Sequence, residues 1–137
     1  MPELITGAKT PEQIDAMREG GKILARIFDD LRAYVQPGLT EKAVDAFVSQ
    51  KIIDYGATAT YKTDEVNFPG VICISTNDEV VHGVPTDYVL QNGDVVGWDL
   101  VITYKNMKTD AAFTKVVGDA PKGAIKHLIA MTERSLY

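Results

Sequence analysis

The chain has 137 residues, of which 45% are hydrophobic and 24% charged, with a net charge of −5 and a mean hydropathy of −0.06. These values are typical of one globular domain with a moderate core. Acidic and basic residues are interspersed and form no basic patch, which argues against nucleic acid and anionic membranes as partners. There is no apolar run long enough to cross a bilayer, no recognisable signal peptide and only one cysteine, so we expect a cytoplasmic protein.

Two amphipathic helices are predicted after a flexible lead-in at residues 1–9. Thr10 begins a capping-box pattern with a proline at the first helical position, and this helix must end before Pro37. A second helix is predicted from Thr40 to Gly56. The apolar positions predicted to face inward are Ile14, Met17, Ile23, Leu24, Ile27, Phe28, Leu31 and Val35, then Val44, Phe47, Val48, Ile52 and Ile53.

The pattern then changes to short β-prone segments separated by turn residues. In chain order these are 57–61, 71–75, an extended 79–85, and two longer strands at 95–104 and 108–117.

A third helix is predicted to begin near Pro121. It has no stop signal before Tyr137, which favours a chain cut from a longer one over a helix that docks to its last residue. The predicted fold class is therefore α/β (α+β), with two N-terminal helices packed on an antiparallel sheet and a third helix at the end.

Each long strand carries one aspartate, Asp99 and Asp110, in a position where aspartate is disfavoured. A turn centred near Tyr104 and Lys105 puts the two aspartates directly opposite each other, whereas a turn shifted by one residue breaks this pairing. Apolar residues flank both aspartates, which favours a sheet covered on both faces.

Two buried carboxylates raise each other's pKa unless a cation lies between them. A divalent metal is the simplest such cation, and paired carboxylates suit Mn, Mg, Fe(II), Co or Zn, especially in a two-metal site. The alternative is that both aspartates are solvated on an exposed face.

The segments "CISTNDEVVHGVP" (73–85) and "GDVVGWDLVITYKNMKTDAAFTKVVG" (93–118) resemble the N-terminal half of bacterial type I methionine aminopeptidases. "KTPEQIDAMREGGKILARI" and "VQPGLTEKAVDAFV" resemble the opening helices of that family, and "GATATYKTDEVNFPGVICIS" resembles its substrate-pocket segment. The resemblance implies that residues 10–137 form the N-terminal half of a pita-bread fold, with the C-terminal half absent.

The family resemblance also implies an activity, the removal of initiator methionine from nascent polypeptides by metal-hydroxide attack. It implies two divalent metal ions, Co, Mn, Fe(II), Zn or Mg, with Asp99 binding one of them and Asp110 bridging both. His82 would be the catalytic histidine that contacts the substrate. The substrate-binding residues implied are His82, Cys73, Phe68 and Tyr61.

The remaining metal ligands of the family, a histidine and two glutamates, come from its C-terminal half. His127 and Glu133 lie in the last predicted helix, in the wrong context to replace them. The resemblance therefore implies a chain that alone is inactive and binds metal weakly or not at all. Two alternatives are a half-domain that self-associates as a homodimer through the face left exposed, and a non-catalytic pita-bread binding module.

Overall fold

The computed structural model describes residues 7–64 and 66–137, and within them it contains three α-helices and one antiparallel sheet of four strands. This confirms the predicted fold class. The elements are α1 (Pro11–Tyr34), α2 (Glu41–Asp54), β1 (Thr58–Ala59), β2 (Cys73–Thr76), β3 (Val95–Tyr104), β4 (Met107–Val116) and α3 (Gly123–Leu136). Residues 1–6 of the predicted lead-in lie outside the described residues, and residues 7–9 have no regular structure.

Both N-terminal helices begin at the predicted caps. The Thr10 hydroxyl accepts a hydrogen bond from the Gln13 backbone N–H at 3.3 Å, and the Gln13 side chain accepts one from the Thr10 N–H at 2.9 Å. This is a complete capping box, which satisfies two of the donors that a helix start leaves open. At the start of α2, the Thr40 hydroxyl accepts from the Ala43 N–H at 3.1 Å.

The central strand of the sheet is β3. It pairs with β4 along its whole length, and its other edge pairs with β2 near Val96–Asp99 and with β1 at Ile102 and Thr103. The β-prone segment 57–61 forms a shorter strand than expected, because it passes into a 3-10 turn at Thr60–Lys62. The segment 79–85, predicted to be extended, forms no strand.

One face of the sheet packs against the helices. Alternate residues of β3 are completely buried on this face, and the Phe113 ring of β4 contacts Phe28 of α1 edge to face at 4.9 Å. The fully buried side chains on β3 are Val96, Trp98, Leu100 and Ile102. The core therefore lies between α1, α2 and this side of β3, which leaves the other side of the hairpin for a site.

Two apolar residues predicted to face inward do not. Ile53 is 65% exposed because its neighbour Ile52 is buried, and adjacent helix residues point about 100° apart. Ile14 is 40% exposed because it lies in the first turn of α1, before the buried stretch that begins at Ala16.

The expectation of a sheet covered on both faces is wrong for the part of the chain that the structure describes. On the face opposite the core, Asp99 and Val101 are only half-buried, and Asp110 and Ala112 are exposed. Helix α3 has no buried residue, and only Ile129 and Ala130 are half-buried. Among the described residues, none of the helices has the length and apolar character needed to cross a membrane.

Candidate metal centre

The β3–β4 hairpin fixes the positions of the two aspartates. Its turn consists of Lys105 and Asn106, which both adopt left-handed backbone angles, with φ of 46° and 63°. Two successive positive φ angles define the tight turn that matches the twist of a hairpin, and asparagine tolerates this conformation well. The turn is therefore centred one position later than the prediction near Tyr104 and Lys105.

This turn changes the predicted register. Asp99 pairs with Ala112 and Val101 pairs with Asp110, so the prediction that Asp99 lies directly opposite Asp110 is wrong. The two aspartates nevertheless share one face of the sheet, because Asp110 and Ala112 are two residues apart. They are diagonal neighbours, a relationship in which residues lie about 7–8 Å apart and their side chains can still interact.

The Asp99 carboxylate affects the ionisation of Asp110. Although Asp110 is exposed, partial desolvation of its carboxyl raises its pKa, and the negative charge of Asp99 and a hydrogen bond between the two carboxyls raise it further. Across residues 7–64 and 66–137, neither aspartate forms an ion pair with a basic side chain. Two oxygen-donor groups that repel each other and have no cationic partner fit a divalent cation, which favours hard carboxylate ligands.

Tyr61 and Cys73 lie beside Asp99. The Tyr61 hydroxyl donates a hydrogen bond to Oδ1 of Asp99 at 3.3 Å, and Cys73 is the β2 residue paired with Asp99. Burial raises the pKa of the Tyr61 phenol, and the charge of Asp99 adds to this effect. Burial and then the Asp99 charge likewise raise the pKa of the Cys73 thiol. Both groups therefore stay protonated at neutral pH, and Tyr61 acts as a donor to the carboxylate.

Phe68 completes a small aromatic wall next to this cluster. Its ring contacts the Tyr61 ring edge to face, with centroids 5.5 Å apart, and its backbone N–H donates to the Tyr61 carbonyl at 2.9 Å. Both rings are half-buried, whereas Cys73 is 3% exposed. The structure thus brings Tyr61, Phe68, Cys73 and Asp99 together, and their functional roles remain predictions.

His82 lies in the irregular segment after β2, is exposed, and has a left-handed φ of 58°. Its neighbour Gly83 is held against β2 by two hydrogen bonds. The Gly83 carbonyl accepts from the Ile74 N–H at 2.9 Å, and the Gly83 N–H donates to the Ser75 hydroxyl at 3.1 Å. A Cβ atom at Gly83 would lie 2.0 Å from the Ile74 carbonyl oxygen. The His82 imidazole makes no hydrogen bond to Asp99 or Asp110. Its position relative to the aspartates is set by the backbone, because Gly83 bonds to β2 and β2 pairs with the strand that carries Asp99.

The sequence analysis missed a carboxylate that positions β2. Oδ1 of Asp45, in α2, accepts from the backbone N–H groups of Val71 and Ile72 at 2.7 and 3.3 Å. A Cβ at Gly70 would lie 2.7 Å from the same oxygen, so Gly70 allows the close approach. The sequence gives only a weak signal for this role of Asp45, because an aspartate on a helix is normally solvated.

The remaining ionisable candidates lie elsewhere. His127 and Glu133 are exposed on α3. Within the described ranges, no group of three or more histidine, cysteine, aspartate or glutamate side chains is close enough to hold a metal ion. The described part of the chain thus offers a pair of carboxylates, which is fewer ligands than a closed metal site uses.

The helices thus pack on one side of the sheet, and the aspartate pair lies on the other. The sequence profile of metallopeptidase family M24 matches residues 15–137, and the chain belongs to this family. The curated relatives include methionine aminopeptidase 1 of Bacillus subtilis, 36% identical over 129 residues, and the methionine aminopeptidase of Clostridium perfringens, 38% identical over 129 residues. Each alignment covers 94% of this chain and 51% of the relative.

A solved structure agrees with these relatives. The methionine aminopeptidase of Thermotoga maritima superposes with a TM-score of 0.85 at 31% identity, covering 93% of this chain and 51% of that one. The chain therefore spans about half the length of the relatives it matches. These comparisons confirm the resemblance to methionine aminopeptidases and to their pita-bread fold, and they are consistent with the N-terminal half.

Proposed function

We propose that this chain is the N-terminal half of a metal-dependent methionine aminopeptidase, which acts in the cytoplasm on nascent polypeptides that begin with methionine. The observation that carries the proposal is the relationship of Asp99 to Asp110. The two carboxylates share one sheet face, the Asp99 charge raises the pKa of Asp110, and neither has a basic partner among the described residues. Relatives named methionine aminopeptidases support the substrate class.

Asp99 and Asp110 are the residues that would hold the metal. Two divalent ions of Co, Mn, Fe(II), Zn or Mg, when bound, would neutralise the carboxylates and supply Lewis-acid activation of a water molecule and of the peptide carbonyl. The hydrogen bond from Tyr61 orients the Asp99 carboxylate towards this face.

The other predicted residues of the site bind and orient the substrate. Tyr61, Phe68 and Cys73 provide an apolar wall for the methionine side chain. His82, exposed beside β2, is available to contact the peptide.

The chain alone is expected to be inactive, because two aspartates are too few ligands to hold two metal ions tightly. The test is an assay of the purified chain on a tripeptide that begins with methionine, with Co(II) or Mn(II) added. We expect no hydrolysis above the rate of an Asp99→Asn, Asp110→Asn double variant. Hydrolysis that both substitutions abolish would show that the fragment is itself an enzyme.

Self-association is a second candidate behaviour, favoured by two surfaces. Strand β4 pairs only with β3 in the described structure, so its outer edge is open to another strand. Helix α3 exposes four large apolar side chains, Ile125 at 39%, Leu128 at 63%, Met131 at 36% and Leu136 at 78%. Sedimentation equilibrium tests this candidate: a homodimer that the Leu128→Glu variant dissociates supports it, and a monomer at high protein concentration rules it out.

A further inference from the structure

The segment that carries His82 is fixed at its two ends by buried carboxylates. We define the histidine loop as residues 77–85, which connects β2 to the extended stretch 86–90. Its first stem is Thr76, the last residue of β2, together with Asn77, and its second stem is Thr86 to Tyr88. The loop has no regular structure, and side-chain contacts at its ends add to the backbone bond between Ile74 and Gly83.

Glu41, the first residue of α2, joins the two stems. Its carboxylate is 2% exposed; Oε1 accepts from the Thr76 hydroxyl at 2.7 Å, and Oε2 accepts from the Thr86 N–H at 3.0 Å and the Thr86 hydroxyl at 2.7 Å. Each oxygen thus binds a different stem. A buried carboxylate with three donors is stable without a cation, and hydrogen bonds to a charged acceptor are stronger than neutral ones.

Asp94, just before β3, repeats this arrangement from the other side. It is 7% exposed; Oδ1 accepts from the Asn77 side chain at 2.9 Å, and Oδ2 accepts from the Tyr88 hydroxyl at 3.0 Å and the Gln91 N–H at 2.7 Å. Asn77 belongs to the first stem and Tyr88 to the second. Two independent carboxylates therefore bridge the same pair of stems.

The backbone bonds show why a bridge is needed. The second stem is attached to α2, because the N–H groups of Glu41 and Lys42 donate to the carbonyls of Tyr88 and Thr86 at 3.1 and 3.0 Å. The first stem is attached to β3, through the Asn77 N–H and the Val95 carbonyl at 2.8 Å. The two stems are thus bonded to different elements, one to β3 and the other to α2. The side chains of Glu41 and Asp94 join the stems by accepting hydrogen bonds from both.

We propose that Glu41 and Asp94 are positioning residues that clamp the stems of the histidine loop and so set the position of His82 relative to the face that carries Asp99. The proposal rests on the proposed role of His82 in substrate contact. The close packing and the hydrogen bond of Gly83 against Ile74 hold the residue after His82 on β2, so fixing the stems also fixes the position of His82.

The test follows the loop in the full chain by amide hydrogen exchange and by the NMR signals of the His82 imidazole. In Glu41→Ala and Asp94→Ala, we expect the amides of residues 79–85 to exchange about tenfold faster or more, the effect of losing a hydrogen bond to a buried charged group. The His82 signals should shift towards their values in an unfolded peptide. Glu41→Gln should restore much of the protection, because its carboxamide oxygen can still accept from Thr86.

A control separates positioning from general stability. Val48→Ala removes buried volume from the core of α2, since Val48 is 0% exposed, and it touches neither stem through a hydrogen bond. This variant should speed exchange across the core without moving the His82 signals. If the alanine variants fold poorly, Thr76→Val and Tyr88→Phe each remove one donor to a clamp, and both should shift the His82 signals in the same direction by a smaller amount.

The proposal is overturned if the His82 signals and the exchange of residues 79–85 stay unchanged in the clamp variants, or change only in step with the core, as in Val48→Ala. A separate readout tests the proposed function. Mn²⁺ added alone should broaden the Ala112 amide signal through Asp99 and Asp110, in wild type and clamp variants alike. Failure of that broadening would count against the metal site and would leave the result on the clamp standing.

Discussion

Asp99 pairs with Ala112 in the β3–β4 hairpin, and Asp110 lies diagonally across from it on the same face. In a hairpin with a two-residue turn, the pair next to the turn is hydrogen-bonded, and here that pair is Tyr104 and Met107. Hydrogen-bonded and non-hydrogen-bonded pairs alternate along the two strands, so Asp99 and Ala112 form a non-hydrogen-bonded pair. Such pairs have the shortest Cα separation, about 4.5 Å. The diagonal places the two carboxyl groups close enough to interact with each other and with a shared cation.

Neutralising one aspartate should stabilise the metal-free chain. Asp110→Asn removes the like charge beside Asp99, so we expect the free energy of unfolding at pH 7 to rise by a few tenths of a kcal/mol. This is the low end of the range of about 0.2–1 kcal/mol for cross-strand pairs, because Asp110 is exposed and solvent screens its charge. Urea unfolding at low salt measures the change. Asp78→Asn, an equal change of charge at an exposed turn residue, should leave the free energy nearly unchanged.

The clamp at Asp94 should make stability depend on pH. Burial pushes the pKa of Asp94 upwards, but hydrogen bonds from Asn77, Gln91 and Tyr88 outweigh it and leave the pKa below its usual value. A carboxyl with a lowered folded-state pKa stabilises the fold above its unfolded pKa, near 3.9, and loses this contribution as the pH falls through the folded value.

Asp94→Asn should therefore cost about 1.5–3 kcal/mol of unfolding free energy at pH 7, the range for hydrogen bonds to a charged group. The difference between wild type and variant should shrink below about pH 4. Urea unfolding at several pH values checks both statements. A difference that stays constant over this range would contradict the assigned role of the Asp94 charge.

The turn residue Asn106 should control the hairpin register. Its φ is 63°, so Asn106→Gly should preserve or improve stability, whereas Asn106→Val should cost about 1–3 kcal/mol because a β-branched residue is strained in that conformation. NMR contacts between the α-protons of Asp99 and Ala112 report the register directly. Contacts between Asp99 and Asp110 instead would show that the strands pair in the register predicted from sequence.

Two glycines should respond to alanine in opposite directions. Gly83→Ala would put a Cβ 2.0 Å from the Ile74 carbonyl oxygen, so we expect a loss of stability at the upper end of single substitutions, roughly 4 kcal/mol or more. Gly21 lies in α1 with nothing within 4 Å of its added Cβ, and Gly21→Ala should stabilise the fold by about 0.5–1 kcal/mol. Thermal unfolding of both variants gives the sign of each effect.

Local chemistry made much of the fold predictable. The Thr10 capping box and the Thr40 cap are short-range patterns, and both helices begin at them. The alternation around Trp98 predicted strand β3 with its observed bounds. The predicted register was wrong because the turn lies one position later than predicted. Lys105 and Asn106 form it with positive φ, whereas the sequence also allowed a turn that begins at Tyr104.

Residue chemistry alone predicted a cation beside Asp99 and Asp110, the family resemblance added the role of His82, and these roles stay predictions. Asp99, Asp110 and His82 lie in quoted motifs, whereas Glu41, Asp45 and Asp94 become informative only when α2, β2 and the histidine loop come together. Each of these three carboxylates accepts at least one hydrogen bond from a distant residue, as Glu41 does from Thr86, 45 positions away, and Asp94 from Asn77, 17 positions away. No local pattern distinguishes such a buried carboxylate from a solvated one.

The central claim, that Asp99 and Asp110 form part of a metal site, is tested most directly by titrating the chain with Mn²⁺ and recording the broadening of its amide signals. We predict broadening centred on Asp99, Asp110 and Ala112 that saturates only at about millimolar Mn²⁺, as expected for a site with few ligands. Asp99→Asn and Asp110→Asn should each abolish it, and Asp78→Asn should not. Broadening that is centred elsewhere, or that survives both substitutions, would contradict the account.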